Sequence, residues 1–297
     1  MSDASPAAIE VPAYAAILKS GNPQFGGLSG LEMGDAPNQL MAITDHGWAV
    51  LLDKRPPHPV LSLIPIGGVP QVTQWQDAEA LRRASDGKLW VSFEGRHRIA
   101  IHRPGWAGLL APPERMISMP GRLGMEGNRG LEAVATLPGG RGLALSETRP
   151  TALAILLDGK RLENQVRRYK TDLPPVDAVA LANGGLLVLV RAPVWPLPPL
   201  FATRIDYVAP GWETRPVIEA RPLFRIDTAL PAANYEGMAV EPLGNGDLRL
   251  WLISDDNFIF LQDTVLASID MPVSCLLAEV VCRLRPAEET ASADSLH

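Results

Sequence analysis

One short motif recurs five times along the chain, and a repeat of this kind limits the fold more than any other feature. The copies are "GLSGLEMGDAPNQLMAITDHG" from Gly27, "DAEALRRASDGKLWVSFEG" from Asp77, "GLEAVATLPGGRGLALSET" from Gly130, "VDAVALANGGLLVLVRA" from Val176 and "NYEGMAV" from Asn234. Each opens with a polar or acidic residue followed by small and apolar positions: Ser29, Glu79, Glu132, Asp177 and Glu236, which lie 50, 53, 45 and 59 residues apart. Turn residues follow, "SDG" (85–87), "PGG" (138–140), "NGG" (183–185) and "GNGD" (244–247), in which Gly and Asn tolerate the positive φ of tight hairpins. The returning strands "KLWVSF", "GLALS", "LLVLV" and "LRLWLIS" are apolar at consecutive positions, so both of their faces must be covered.

Further strand-like runs, "RIAIHR" (98–103), "LAILLD" (153–158) and "ATRIDYV" (202–208), bring each unit to three or four strands. Such units repeated around an axis form a β-propeller. The expected fold is therefore all-β: a single propeller over residues 1–272, with five blades favoured and six the alternative. The last unit stops near Asp270 after three strands, and the N-terminal run "VPAYAAILKS" is expected to supply the missing outer strand and close the ring. Trp90 and Trp251, at equivalent apolar positions, belong between blades. Residues 273–297 form a tail, with a short helix over 274–286 and a disordered polar end.

The hairpins place the acids. An antiparallel hairpin returns to where it began, so Glu79 meets Glu94, Glu132 meets Glu147, Glu236 meets Asp255 and Asp256, and Ser29 meets Asp45. The first strand of each blade lines the channel, which predicts a ring of carboxylates at one mouth. Unit four differs: Asp177 opens it and Arg191 ends its second strand, before the Pro-rich "APVWPLPPLF" (192–201), expected to overhang the mouth. His46, Arg96, His97, Asn128, Arg129 and Arg149 crowd the same strand ends.

Packed carboxylates repel, and a bound cation relieves the repulsion. Calcium takes six to eight oxygen ligands in irregular geometry, which suits carboxylates with Asn128 or Asn257 and backbone carbonyls; zinc or thiolate chemistry does not fit. The alternative is a solvated polar channel holding no metal. Ser29 is not in a G-x-S-x-G setting, since position 31 is Leu, and reads as a channel-lining position.

Composition narrows the partners. The 297 residues carry a net charge of −6, which disfavours nucleic acid and anionic membrane surfaces. No apolar run reaches the ~20 residues of a membrane span. The opening "MSDASPAAIEVPAY" lacks signal-peptide features. Cys275 and Cys282 exclude a disulfide framework and allow one isolated bridge.

The motifs "FGGLSGLEM" (25–33), "DAEAL" (77–81) with "WVSFEGRHRI" (90–99), "NRGLEAVA" (128–135), and "NYEGMAV" (234–240) with "LWLISDDNF" (250–258) resemble the phytase-like β-propeller family, described as having the esterase-like activity of phytase. The likeness spans roughly residues 22–271. It implies a periplasmic or secreted monomeric propeller, with a cytoplasmic location also open, that hydrolyses a small anionic phosphomonoester or related ester at the channel mouth. The other reading is a non-catalytic propeller that binds a ligand or a protein. On the hydrolase reading, Glu79, Glu132, Asp177, Glu236, Asp255 and Glu147 hold calcium. Glu236, Glu132 and His46 take part in catalysis, and Arg191, Arg129 and Arg149 bind the substrate anion.

Overall fold

The computed structural model describes residues 8–70, 72–119, 130–158, 162–194, 200–226, 228–259 and 261–287. They form five sheets, each built outward from one inner strand with its first four strands antiparallel. The first blade comprises β2 (Leu28–Met33), β3 (Gln39–Thr44), β4 (Trp48–Asp53) and β5 (Val60–Pro65). The second comprises β6 (Ala78–Arg83), β7 (Leu89–Phe93), β8 (Arg98–His102) and β9 (Arg115–Ser118). The third runs through β10 (Leu131–Leu137), β11 (Arg141–Ser146), β12 (Thr151–Leu157) and β13 (Leu162–Lys170), with β17 (Val217–Glu219) added parallel at its edge. The fourth comprises β14 (Pro175–Ala180), β15 (Leu186–Val194), β16 (Leu200–Val208) and β18 (Arg221–Arg225). The inner strands touch in the closed cycle β2–β6–β10–β14–β19–β2, where β19 is Asn234–Pro242. The fold is a five-bladed β-propeller, and the six-blade alternative falls away.

The fifth blade closes the ring as the sequence leads one to expect. β19, β20 (Leu248–Asp255) and β21 (Val265–Met271) are followed in the sheet by the N-terminal β1 (Ile9–Ile17), which pairs antiparallel with β21 from Ala13↔Ile269 to Ile17↔Val265. Joining the two chain ends in one sheet ties the circle. A fifth strand was not anticipated. β22 (Cys282–Pro286) pairs parallel with β1, and the preceding turn is pinned by a Cys275–Cys282 disulfide. The helix expected over 274–286 is therefore a 3-10 turn at Val273–Leu276 followed by a strand. The open edge of β1 needs hydrogen-bond partners more than this short segment needs helical ones. Residues 273–287 belong to the propeller, and the expected disordered end, 288–297, lies outside the described residues.

The consecutive apolar runs are explained by where they pack. Among the described residues five hydrophobic clusters form, each between two neighbouring blades. Strands of this kind have a cluster on either face, so side chains on both faces are buried along Leu89–Phe93, Gly142–Ser146, Leu186–Val190 and Leu250–Asp255. Trp90 fills the cluster between the second and third blades, and Trp251 that between the fifth and first. Gly142 opposes Trp90 so closely that a β-carbon there would sit 2.7 Å from the indole ring.

Candidate active site

The inner strands share a β-bulge near their first residues. Pairing skips Ser29 in β2, Glu79 and Ala80 in β6, Glu132 in β10, Val176 in β14 and Glu236 in β19. A bulge re-aims the side chain it carries, and here it sets Ser29, Glu79, Glu132, Val176 and Glu236 at matching positions around the channel. One backbone bond per blade fixes an outer ring. The amides of Asp45, Glu94, Glu147 and Arg191 donate to the carbonyls of Gly27, Asp77, Gly130 and Pro174 at 2.9, 2.7, 3.1 and 3.0 Å. In the fifth blade Asp255 takes this place opposite Asn234.

Asp177 departs from the expected register. It lies on an innermost strand, but one residue beyond the bulge, and Val176 holds the ring position. At the equivalent positions of blades one and five stand Gly30 and Gly237, where a β-carbon would lie 2.7 Å from the Leu81 amide nitrogen and 2.9 Å from that of Leu31. A side chain at this position therefore points into the next blade. Asp177 makes use of that direction: its carboxylate accepts the Met238 amide at 2.6 Å and its own neighbour's, Ala178, at 2.9 Å. It also pairs with Arg82. With both oxygens occupied and the side chain fully buried, Asp177 is a brace below the mouth, not a member of the upper ring.

Arg82 forms the floor. It is 2% exposed, and its guanidinium donates to the carbonyls of Ala178 (2.7 Å), Leu31 (2.8 Å) and Leu81 (2.6 Å), which belong to blades four, one and two. Through Asp177 it reaches blade five as well.

Above this floor, burial dominates the electrostatics. Desolvation and then neighbouring acids push Asp45 up to about 7. Burial does the same for Glu94 and Asp255, each to about 7. Glu79 and Glu132 are driven well above the usual carboxylate range, by burial first and then by Glu132 acting on Glu79 and Glu147 acting on Glu132. Glu236 is raised by burial against the opposing pull of Arg191. Asp77 lies against Glu79, and Glu94 against Glu132, and like charges so placed disfavour ionising both members of a pair.

Asp77, Glu79 and Glu94 converge so that one oxygen of each lies within 4.8 Å of the others, a spacing that suits a metal ion. Asp77 was not among the expected ligands; its signal was its place just before the repeat's acid. On the other side of the mouth, Asn234 donates to Glu236 at 2.6 Å and to Asp255 at 3.4 Å, while its own amide oxygen is buried without a hydrogen-bond partner. Oδ1 of Asp45 is likewise buried without one. Oxygen acceptors left unmatched beside crowded carboxylates are what a hard cation satisfies.

The remaining expected residues separate. Arg191 donates to Glu236 at 2.6 Å and lies 5.3 Å from the Phe201 ring. His46 stacks on Phe258 at 4.4 Å, with Nε2 3.9 Å from Asp45. Asp255 also accepts the Asn257 amide at 2.6 Å. The Ser29 hydroxyl donates to the Ala78 carbonyl. Arg149 is exposed in the turn after β11, whereas Asn128 and Arg129 lie outside the described residues. Arg98, packed on Phe93 and Trp75 at 4.1 and 5.1 Å, brings a cation toward Asp77 that sequence reasoning missed. β15 and β16 continue past Arg191 as far as Val194↔Leu200; residues 195–199, the centre of the Pro-rich segment expected to overhang the mouth, lie outside the described residues.

Fold and site together define a five-bladed propeller with an acid-rich, one-sided mouth. The phytase-like family model, "Esterase-like activity of phytase", matches residues 23–258, and the chain belongs to that family. No curated protein matches the sequence. Among solved structures, a glucose dehydrogenase aligns over 87% of this chain and 100% of its own, with a TM-score of 0.53 and 12% identity. An endo-arabinase from Bacteroides thetaiotaomicron aligns over 87% and 97%, with the same score and identity. At that identity both report the propeller fold alone.

Proposed function

We propose that the protein is a calcium-dependent hydrolase of small phosphomonoesters or related esters, acting at the acidic mouth of the propeller. The observation that carries this reading is the double ring of buried carboxylates, whose raised proton affinities mark a site short of positive charge. Asp77, Glu79 and Glu94 would hold a cation on one side; Glu236, Asp255, Asp45 and the Asn234 amide oxygen offer a second set, with Glu132 between the two and Glu147 on the outer ring beside it. Bound there, calcium would supply charge neutralisation for an anionic substrate and acidify a water.

The chain's own groups do the rest. Arg191, anchored by Glu236, presents the guanidinium that orients the substrate anion. His46, half exposed at the rim beside Asp45, stands where a base accepts a proton from water. Glu132 keeps a proton to return. In the overall reaction water's oxygen bonds to the phosphoryl or acyl centre, the ester bond breaks, and the alcohol leaves with a proton. The family's description supports a hydrolase, and no helix among the described residues is long and apolar enough to cross a membrane. The disulfide favours an oxidising compartment outside the cytoplasm.

A second reading, a propeller that binds a ligand or protein without chemistry, draws on one observation: the Ser29 hydroxyl is tied to a carbonyl and Glu236 to Arg191, so neither is free as an activated nucleophile. Purified protein assayed against phosphomonoesters and carboxylic esters, with calcium and with chelator, decides between them. Turnover that chelation abolishes supports the hydrolase. Turnover indifferent to chelation removes the metal from it, and silence on every substrate favours the binder.

A further inference from the structure

Beside the mouth, between blades four and five, lies a cavity of about 130 Å³. Its apolar wall is formed by Leu200, Phe201, Pro231, Ala232 and Leu261. Leu200 is 45% exposed and Leu261 63%, so the wall gains from being covered. Two of the lining residues touch the charged site directly. Asn234 lines the cavity and hydrogen-bonds to Glu236 at 2.6 Å, and Phe201 lines it while facing the Arg191 guanidinium at 5.3 Å. Asn234 and Phe201 are thus common to the cavity, apolar on its far side, and to the polar charged site.

We propose that this cavity is the subsite for an apolar, ring-sized group on the substrate, so that the preferred ester joins one anionic head to an aryl group. The inference rests on the hydrolase reading for its chemistry, not for its binding. Size favours it: a dry cavity of about 150 Å³ accepts a benzene ring. Charge favours it as well. Asp263 also lines the cavity, and its carboxylate disfavours a second anionic group there. On this side of the mouth one guanidinium, that of Arg191, stands beside the cavity, and it is shared with Glu236, which suits a single anionic head. Each methylene-sized piece of apolar surface buried contributes about 0.8 kcal/mol, and an aromatic ring contains several.

Two measurements test this with the full-length protein in calcium. The first is calorimetric binding of phenylphosphonate against methylphosphonate, which share a head group and are not hydrolysed. Phenylphosphonate should bind at least tenfold tighter, and the advantage should fall below threefold in Ala232→Trp, which fills the cavity, and in Leu261→Asp, which charges it. Both positions are exposed, and if one variant fails to fold the other decides. Equal binding of the two phosphonates to the wild type, or an advantage unchanged in the variants, overturns the subsite. The second is kcat/KM for phenyl phosphate against glycerol phosphate, where the same preference should appear. A binding preference without turnover of either ester leaves the subsite standing and overturns the hydrolase reading instead.

Discussion

Arg191 and Glu236 form the ion pair that anchors the cationic side of the mouth, nitrogen to oxygen at 2.6 Å with both side chains largely buried. Asn234 donates to the same carboxylate oxygen. One oxygen of Glu236 is therefore spent within the protein, and the other remains for the mouth. The residue serves both the fold and the site, and the two contributions are separable.

Glu236→Gln preserves shape while removing the charge. The cation-free variant should melt below the wild type, because Arg191 loses its partner in a buried setting. Calcium should also bind about tenfold more weakly, about 1.4 kcal/mol, so that its stabilising effect by mass action shrinks. Thermal melts across a calcium titration read both changes. Calcium increments equal in the two proteins would retire the ligand role of Glu236.

The raised carboxylates make stability and metal binding depend on pH in opposite directions. Asp45, Glu94 and Asp255 titrate near 7 in the folded protein against 3.8, 4.5 and 3.8 for the free side chains. Between those values the native state holds protons that the unfolded chain releases. The cation-free protein should be most stable below about pH 4 with respect to these groups and should lose that contribution as pH rises through 7. Calcium needs the ionised forms, so its stabilisation should be slight at pH 5.5 and large at pH 8, with protons released on binding. Melts in paired calcium and chelator buffers across this range check the sign. A calcium effect independent of pH would count against these carboxylates as ligands.

Arg82→Met removes the floor and leaves Asp177 buried without its cation. Breaking such a pair costs about 3–5 kcal/mol, to be read by urea denaturation. Arg82→Met with Asp177→Asn should recover part of the loss, since the amide oxygen can still accept the Met238 amide. Single and double variants of equal stability would show that the ion pair contributes little.

The Cys275–Cys282 bridge holds β22 against β1, the strand that closes the ring. Its loop spans a sequence separation of 7, for which the chain-entropy account gives about 2.5 kcal/mol. Reduction, or serine at both positions, should lower the melting temperature by several degrees. Hydrogen exchange should show the gain in β22 and β1 ahead of the inner strands. Uniform exchange across the blades would mean the bridge acts on the whole fold at once.

The propeller was legible because every unit must satisfy the same packing: two buried faces, a tight turn and an inner strand start. Glu79, Glu132 and Glu236 repeat on that schedule, so their shared mouth followed from hairpin geometry. Asp177 was misread by one place because a bulge has no letter of its own; Val176 and Asp177 fit the pattern equally until the pairing is seen. Arg82 looked like any charged strand residue in "EALRRAS", since nothing local announces a carbonyl offered by a distant blade. The cavity beside Asn234 joins β16, the segment before β19 and the loop before β21, which carry no common periodicity. Cys275 and Cys282 gave a bridge as one option, but the unmet edge of β1 that recruits β22 exists only in three dimensions.

Arg82 reaches from blade two across the axis to carbonyls of blades one and four and, through Asp177, to the Met238 amide of blade five. A closed ring passes strain only from one blade to the next. A rivet at the hub shares it between blades two and four, which have no common border. Disturbance at one strand start is therefore felt on the far side of the ring, and the strand ends that carry the acids keep their spacing as a set.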